Sequence, residues 1–146
     1  MSECKLNIRR ILEKVADIRE SVDFLSRYAS LSDEDFLTDH EAIRAARYSF
    51  IVIAEAATNI ATHICARVLK KAPATYVESF LLLAEHKLID ADLAKRLGQM
   101  VGFRNLLVHG YNRIDDRIML KIMRSDLEDL ELFIDEILRL AQITEE

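Results

Sequence analysis

The sequence predicts an all-α protein, folded as an up-and-down bundle of about five helices in one domain that spans residues 1–146. The chain has only one proline and three glycines, and 51% of its residues are hydrophobic, so turn formers are scarce and helix formers abundant. Apolar residues recur at three- and four-residue steps in several segments, which is the period of a helix with one buried face. Short connections between such segments favour helices that run up and down.

The first half of the chain predicts two long helices. Residues 5–28 form an amphipathic pattern with one apolar stripe. Residues 31–37 predict a short turn or a single helical turn, capped by Ser32. A Thr-x-x-Glu capping box at 38–41 then opens a second long helix over about 39–70.

The second half predicts shorter helices joined by brief turns. A second capping box opens a helix over about 75–87. Asp90 caps the next helix, and Gly110 is expected in the left-handed conformation just beyond its end. A short helix over about 117–123 follows, and Ser125 is expected to open the last helix.

The long helix over 39–70 is apolar nearly all round between residues 50 and 68. Such a helix is either central or half buried in a partner. Its polar interruptions Glu55, Asn59 and His63 are four residues apart and therefore line one stripe. That stripe is either a satisfied polar network or a solvent-facing row, or else Glu55 and Asn59 orient Arg104 across a helix interface.

Composition predicts a cytoplasmic protein without a metal, a cofactor or a membrane contact. Cys4 and Cys65 have no C-x-x-C or histidine spacing, so we expect two reduced thiols rather than a zinc site or a disulfide. No second histidine or cysteine stands at ligand spacing together with a carboxylate, so we expect no metal site. No apolar run approaches the roughly 20 residues that span a bilayer, and the N-terminus lacks a hydrophobic signal core.

The charge distribution singles out one part of the chain. The net charge of −5 argues mildly against a non-specific nucleic-acid binder. Residues 95–124, however, carry seven Lys or Arg against two Asp, and residues 126–146 carry eight acidic residues against one Arg. A segment of charge +5 is therefore followed by one of −7.

The candidate site lies within this basic segment. Arg104, His109 and Tyr111 have the spacing R-x4-H-x-Y, and the only glycines of the chain, at 98, 102 and 110, lie around them, which suggests a need for close backbone approach. RNA can be cut without a metal if the 2′-hydroxyl attacks the adjacent phosphate, which requires proton transfer and a stabilising cation. Histidine suits the first role and arginine the second. Because one histidine cannot easily act as both base and acid, a symmetric dimer with two facing motifs would be more capable.

The longer run GFRNLLVHGYNRID at 102–115 resembles the signature of HEPN-domain proteins of the HepT type, the toxin half of HepT/MNT toxin–antitoxin pairs of type II or type VII kind. The resemblance implies a metal-independent endoribonuclease whose homodimer forms a cleft with both motifs, in which Arg104 and His109 carry catalysis beside Asn105. It also implies an acidic residue near the motif, here Glu55. The implied antitoxin is a small nucleotidyltransferase, which can attach AMP to the tyrosine that corresponds to Tyr111.

A competing interpretation is a non-catalytic helical module that binds nucleotide or docks a nucleotidyltransferase partner. Arg104 and Tyr111 would then be contact residues, and the acidic overall balance favours this interpretation slightly.

Overall fold

The fold consists of α-helices, as the sequence predicts. The computed structural model describes residues 6–109 and 115–145, and over these ranges it contains seven α-helices and no strand. They are α1 (Ile8–Ala29), α2 (Asp33–Leu37), α3 (His40–Ile64), α4 (Tyr76–Glu85), α5 (Ala91–His109), α6 (Asp116–Ser125) and α7 (Glu128–Glu145). A π-helical turn, Cys65–Leu69, extends α3 at its end.

The helix count exceeds the expected number of about five. The segment for which a short turn or a single helical turn was predicted is a helix, and the short helix predicted over about 117–123 is confirmed as a separate element. Residues 33–37 form one complete turn of helix, and residues 116–125 form a helix as long as α4. Asp115 caps α6 by accepting a hydrogen bond from the Arg117 backbone N–H. The left-handed conformation expected at Gly110 lies outside the described residues.

Helix α3 is the centre of the bundle. It packs against α1, α2, α4 and α5, and 14 of its 25 residues are buried. This explains why its sequence is apolar on all sides, and it removes that pattern as an argument for a partner. The helical segment 40–69 is in fact long and apolar enough to span a membrane, contrary to the expectation above, but 67% of its apolar stretch is buried inside the protein.

Side-chain caps define the helix starts, with two corrections to the predicted residues. Ser32, Thr75 and Asp90 accept backbone N–H groups as predicted. Asp39, rather than Thr38, caps α3, and the Thr38 hydroxyl instead donates to a carbonyl of α2. Ser125 ends α6, where its hydroxyl donates to the Lys121 carbonyl, and does not open α7.

Two contacts fix α5, the helix that carries the motif, against its neighbours. The Phe103 ring meets Phe50 of α3 edge to face, with ring centroids 5.8 Å apart. Gly98 is buried against α4, where an added Cβ would lie 3.2 Å from Val77 Cγ1. An added Cβ at Gly102 would meet nothing within 4 Å. The close approach expected around the glycines therefore exists at Gly98, inside the protomer, and not at Gly102.

Candidate functional site

Arg104 lies at the junction of α3, α4 and α5, where three side chains surround its guanidinium. Nη2 forms an ion pair with Glu55 Oε1 of α3. Nη1 donates to Asn105 Oδ1 at 3.1 Å. The guanidinium carbon stands 5.4 Å from the ring centroid of Tyr76, the first residue of α4, which is cation–π distance. The sequence-predicted residues Arg104, Glu55 and Asn105 are thus in direct contact.

The surroundings of Arg104 leave its charge largely desolvated. Its side chain is 18% exposed, whereas that of Glu55 is 44% exposed. The Nε atom is buried, and no described residue accepts a hydrogen bond from it. A guanidinium held this way cannot turn freely, because any rotation would separate it from Glu55 or from the Tyr76 ring.

Tyr76 is a site residue that sequence reasoning missed. Its hydroxyl lies 3.5 Å from Glu55 Oε2, so the tyrosine contacts both members of the ion pair. The only signal in the sequence is its place directly after the Thr75 cap, which predicts a helix start and nothing about a neighbour 28 positions further along. Only the packing of α4 on α5 reveals the contact.

The polar stripe of α3 serves three different elements. Glu55 binds Arg104 of α5, as proposed from the sequence. Asn59 does not contact Arg104; its Oδ1 accepts a hydrogen bond of 3.0 Å from Arg10 Nε of α1. His63 Nε2 accepts the backbone N–H of Asn7 at 2.9 Å. The stripe is therefore a satisfied polar network, and one of its members also holds the motif arginine.

His63 is suited to structure rather than proton transfer. Burial, and then the positive charges of Arg10 and Arg67, lower its pKa. A neutral imidazole is what the Asn7 contact requires, because Nε2 must keep its lone pair to accept that N–H.

His109 and Tyr111 can be located only in part. His109 is the last residue of α5, so its backbone lies about 7.5 Å along the helix axis from that of Arg104. Its side chain, and all of Tyr111, lie outside the described residues. Their predicted roles in catalysis and modification remain predictions.

Acidic residues from other helices pair with three of the six cations that the structure describes in the basic segment 95–124. Arg96 pairs with the buried Asp129, Arg104 with Glu55, and Arg124 with Asp33. The local charge of +5 counted along the sequence is therefore reduced by contacts between distant elements.

The described residues contain no group of three or more His, Cys, Asp or Glu side chains placed to hold a metal ion. Cys65 is buried and carries a free thiol, and burial raises its pKa. The thiol donates weakly to the Ser79 carbonyl at 3.5 Å. Cys65 is thus an inert core residue, and Cys4 lies outside the described residues.

Comparison with known proteins identifies the family. Residues 8–137 match the family model described as HepT-like, ribonuclease HepT-like. The chain is 33% identical over 131 residues to an mRNA nuclease HepT of Shewanella oneidensis, covering 87% of this chain and 95% of that protein. It is 27% identical over 116 residues to a tRNA nuclease HepT of Aphanizomenon flos-aquae, covering 80% of this chain and 79% of that one.

A solved structure is similar over nearly the whole fold. It is the tri-AMPylated HEPN toxin of Shewanella oneidensis in complex with its MNT antitoxin, with a TM-score of 0.83 and 30% identity, covering 89% of this chain and 97% of that one. The family match runs from residue 8 to residue 137 and therefore spans every helix from α1 into α7. The chain therefore belongs to the HepT-like ribonuclease family.

Proposed function

We propose that the chain is the RNA-cleaving toxin of a HepT/MNT-type toxin–antitoxin pair, acting in the cytoplasm without a metal ion. The observation that carries the proposal is the fixed guanidinium of Arg104 on the helix that ends at His109. Glu55, Asn105 and Tyr76 hold this cation in one orientation. Family membership supplies the reaction class, since both HepT relatives are named RNA nucleases.

The reaction is an internal transesterification. The ribose 2′-oxygen attacks the adjacent phosphorus, the P–O2′ bond forms and the P–O5′ bond breaks, which leaves a 2′,3′-cyclic phosphate and a 5′-hydroxyl. A base must take the 2′-hydroxyl proton, and an acid must protonate the leaving oxygen. Arg104 stabilises the charge that develops on the phosphate oxygens, because Nη1 and Nη2 each keep one N–H donor beyond those that bind Asn105 and Glu55.

His109 supplies the proton transfers. Its unperturbed pKa near neutrality suits both roles, but one imidazole cannot be deprotonated and protonated in the same step. A homodimer that brings two copies of the motif to one cleft provides one base and one acid.

The antitoxin is an MNT-type nucleotidyltransferase that silences the site by attaching AMP to Tyr111. The structurally similar toxin from Shewanella oneidensis is AMPylated and is bound to its MNT antitoxin. A nucleotide attached two residues beyond His109 would bring a negative phosphate to the Arg104 guanidinium and occupy the place of the RNA phosphate.

The test is cleavage of RNA in the presence of a chelator. Wild type should cleave single-stranded RNA in excess EDTA and leave cyclic-phosphate ends, whereas Arg104→Ala and His109→Ala should each lose at least about a hundredfold in rate. Arg19→Ala is the matched control, because it removes a paired arginine on the distant face where Arg19 contacts Glu131. Wild type and His109→Ala that are equally active, or equally inert, would refute the nuclease assignment.

The non-catalytic module stays the second candidate, favoured by one observation. Arg104 already has a carboxylate partner within the protomer, and a compensated cation suits a docking contact as well as catalysis. This candidate predicts tight binding to the nucleotidyltransferase while expression of the chain alone leaves growth unaffected. Growth arrest that Arg104→Ala abolishes would exclude it.

A further inference from the structure

A side chain of α3 binds a second arginine from another helix, one helical turn beyond the side chain that binds Arg104. Arg10 of α1 donates its Nε–H to Asn59 Oδ1 at 3.0 Å, and Asn59 follows Glu55 by four residues on the same face of α3. The two anchoring positions are therefore about 6 Å apart along the helix axis. A single polar stripe thus orients guanidinium groups from α1 and from α5.

The two arginines differ in how they are held. Glu55 neutralises Arg104 while orienting it, whereas the amide of Asn59 is uncharged and orients Arg10 without neutralising it. In the part of the chain that the structure describes, no carboxylate lies within ion-pair distance of the Arg10 guanidinium. Arg10 is exposed, so its two terminal nitrogens can bind an anion from solvent.

The surroundings of Arg10 form a basic crevice between α1 and α3. Its volume is about 390 Å³, and it is lined by Asn7, Arg9, Arg10, Glu13, Lys14 and Asn59. The one carboxylate of this lining, Glu13, pairs with Arg9 at 3.5 Å. Lys14 pairs with Asp17 at 3.9 Å, so Arg10 is the cation of this lining that has no carboxylate partner among the described residues. It is bound by the same polar stripe of α3 that binds Arg104.

The charge of Arg10 also acts on a neighbour. It contributes, after burial, to the lowered pKa of His63 behind the crevice. His63 therefore adds no positive charge to the crevice at neutral pH, and the positive charge of the crevice comes from arginine and lysine side chains.

We propose that Arg10, oriented by Asn59, binds a phosphate of single-stranded RNA next to the phosphate at Arg104, so that the crevice is the entry of the substrate track. Anchors one helical turn apart match the spacing of neighbouring phosphates in an extended nucleotide chain, and a basic groove that follows the backbone is how single strands are bound. The partly exposed ring of Tyr76 lies beside the Arg104 end of this track. The inference rests on the proposed nuclease function and adds where the substrate lies.

The experiment measures RNA binding and its salt dependence. Fluorescence anisotropy follows a fluorescein-labelled single-stranded RNA of about 12 nucleotides, with His109→Ala in every arm so that the RNA stays intact. Arg10→Ala should weaken binding about tenfold and lower the slope of log K against log salt by about 0.7, the value for one lost phosphate contact on a single strand. In the cleavage assay Arg10→Ala should mainly raise KM, whereas Arg104→Ala should mainly lower kcat.

Three further variants separate charge from folding. Asn59→Asp keeps Arg10 in place but neutralises it, and should weaken RNA binding as Arg10→Ala does. Arg10→Lys keeps the charge and should retain most of the salt slope. Arg27→Ala is the matched control on the same helix, about 25 Å away along its axis, where Arg27 pairs with Asp23 at 3.2 Å; it should leave affinity and slope unchanged.

The outcomes distinguish the two proposals. If wild type cleaves RNA but Arg10→Ala binds it like Arg27→Ala, the substrate track is refuted and the nuclease function stands. If wild type neither binds nor cleaves RNA, both are refuted.

Discussion

Substitution of Glu55 by glutamine tests the central contact of the site. The change keeps the size of the side chain and removes the charge that faces Arg104. If the carboxylate holds the guanidinium in its catalytic orientation, Glu55→Gln should lower kcat. It should not raise KM, because a negative charge has been removed from beside the phosphate site.

The expected effect of Glu55→Gln on stability follows from the burial of Glu55 and Arg104. Breaking a fully buried ion pair costs about 3–5 kcal/mol, and breaking an exposed one costs at most about 1 kcal/mol. Arg104 is 18% exposed and Glu55 is 44% exposed, and the contacts of Arg104 with Asn105 and Tyr76 remain in the variant. We therefore expect Glu55→Gln to lower the free energy of unfolding by about 1–2 kcal/mol, between these two limits. For a domain of this size that lowers Tm by about 3–6 °C. Loss of the fixed orientation should lower kcat by about 10- to 100-fold.

The assay compares Glu55→Gln with Glu131→Gln. Glu131 is a half-exposed carboxylate that accepts two hydrogen bonds from Arg19 on another face. Glu131→Gln should therefore leave kcat unchanged and lower Tm by no more than the loss of one surface ion pair does. Steady-state cleavage in chelator and thermal melting followed by circular dichroism supply both readouts. A Glu55→Gln protein that cleaves and melts like Glu131→Gln would refute the argument that Glu55 orients Arg104.

Three further predictions address neighbouring contacts. Gly102→Ala should stabilise the fold by about 1 kcal/mol, because alanine favours the helix and its Cβ meets nothing within 4 Å. Gly98→Ala should stabilise the fold less or destabilise it, because its Cβ would lie 3.2 Å from Val77 Cγ1. Urea unfolding of both variants measures the difference in the free energy of unfolding. The free energy of unfolding should fall as the pH drops below about 6.5, because the pKa of His63 is lowered in the fold and the unfolded chain takes up the proton first; His63→Gln should flatten this slope, and an unchanged slope would contradict the assignment. Tyr76→Leu should lower kcat severalfold by removing the cation–π contact, while Tyr76→Phe should retain most activity because the ring remains; equal losses in the two variants would count against the role of the ring.

The sequence alone predicted the helical class, the long central helix and most helix starts. These features depend on local patterns, since apolar spacing and a capping side chain act within a few residues of one another. It also identified the family through the run around Arg104 and His109, because the spacing of a motif on one helix is itself local. The errors at Thr38 and Ser125 are shifts within turns where several side chains can bond the same backbone.

Tertiary structure decided which distant side chains meet. Glu55 and Arg104 are 49 positions apart, as are Arg10 and Asn59, and each pair depends on how two helices pack around α3. Periodicity predicts that a helix has a buried face but not which helix covers it, so Tyr76 and the Arg10 crevice could not be predicted. For the same reason the charge of segment 95–124 was misleading: its partners Asp33, Glu55 and Asp129 come from other helices, and Coulomb interactions depend on distance in space rather than on separation along the chain.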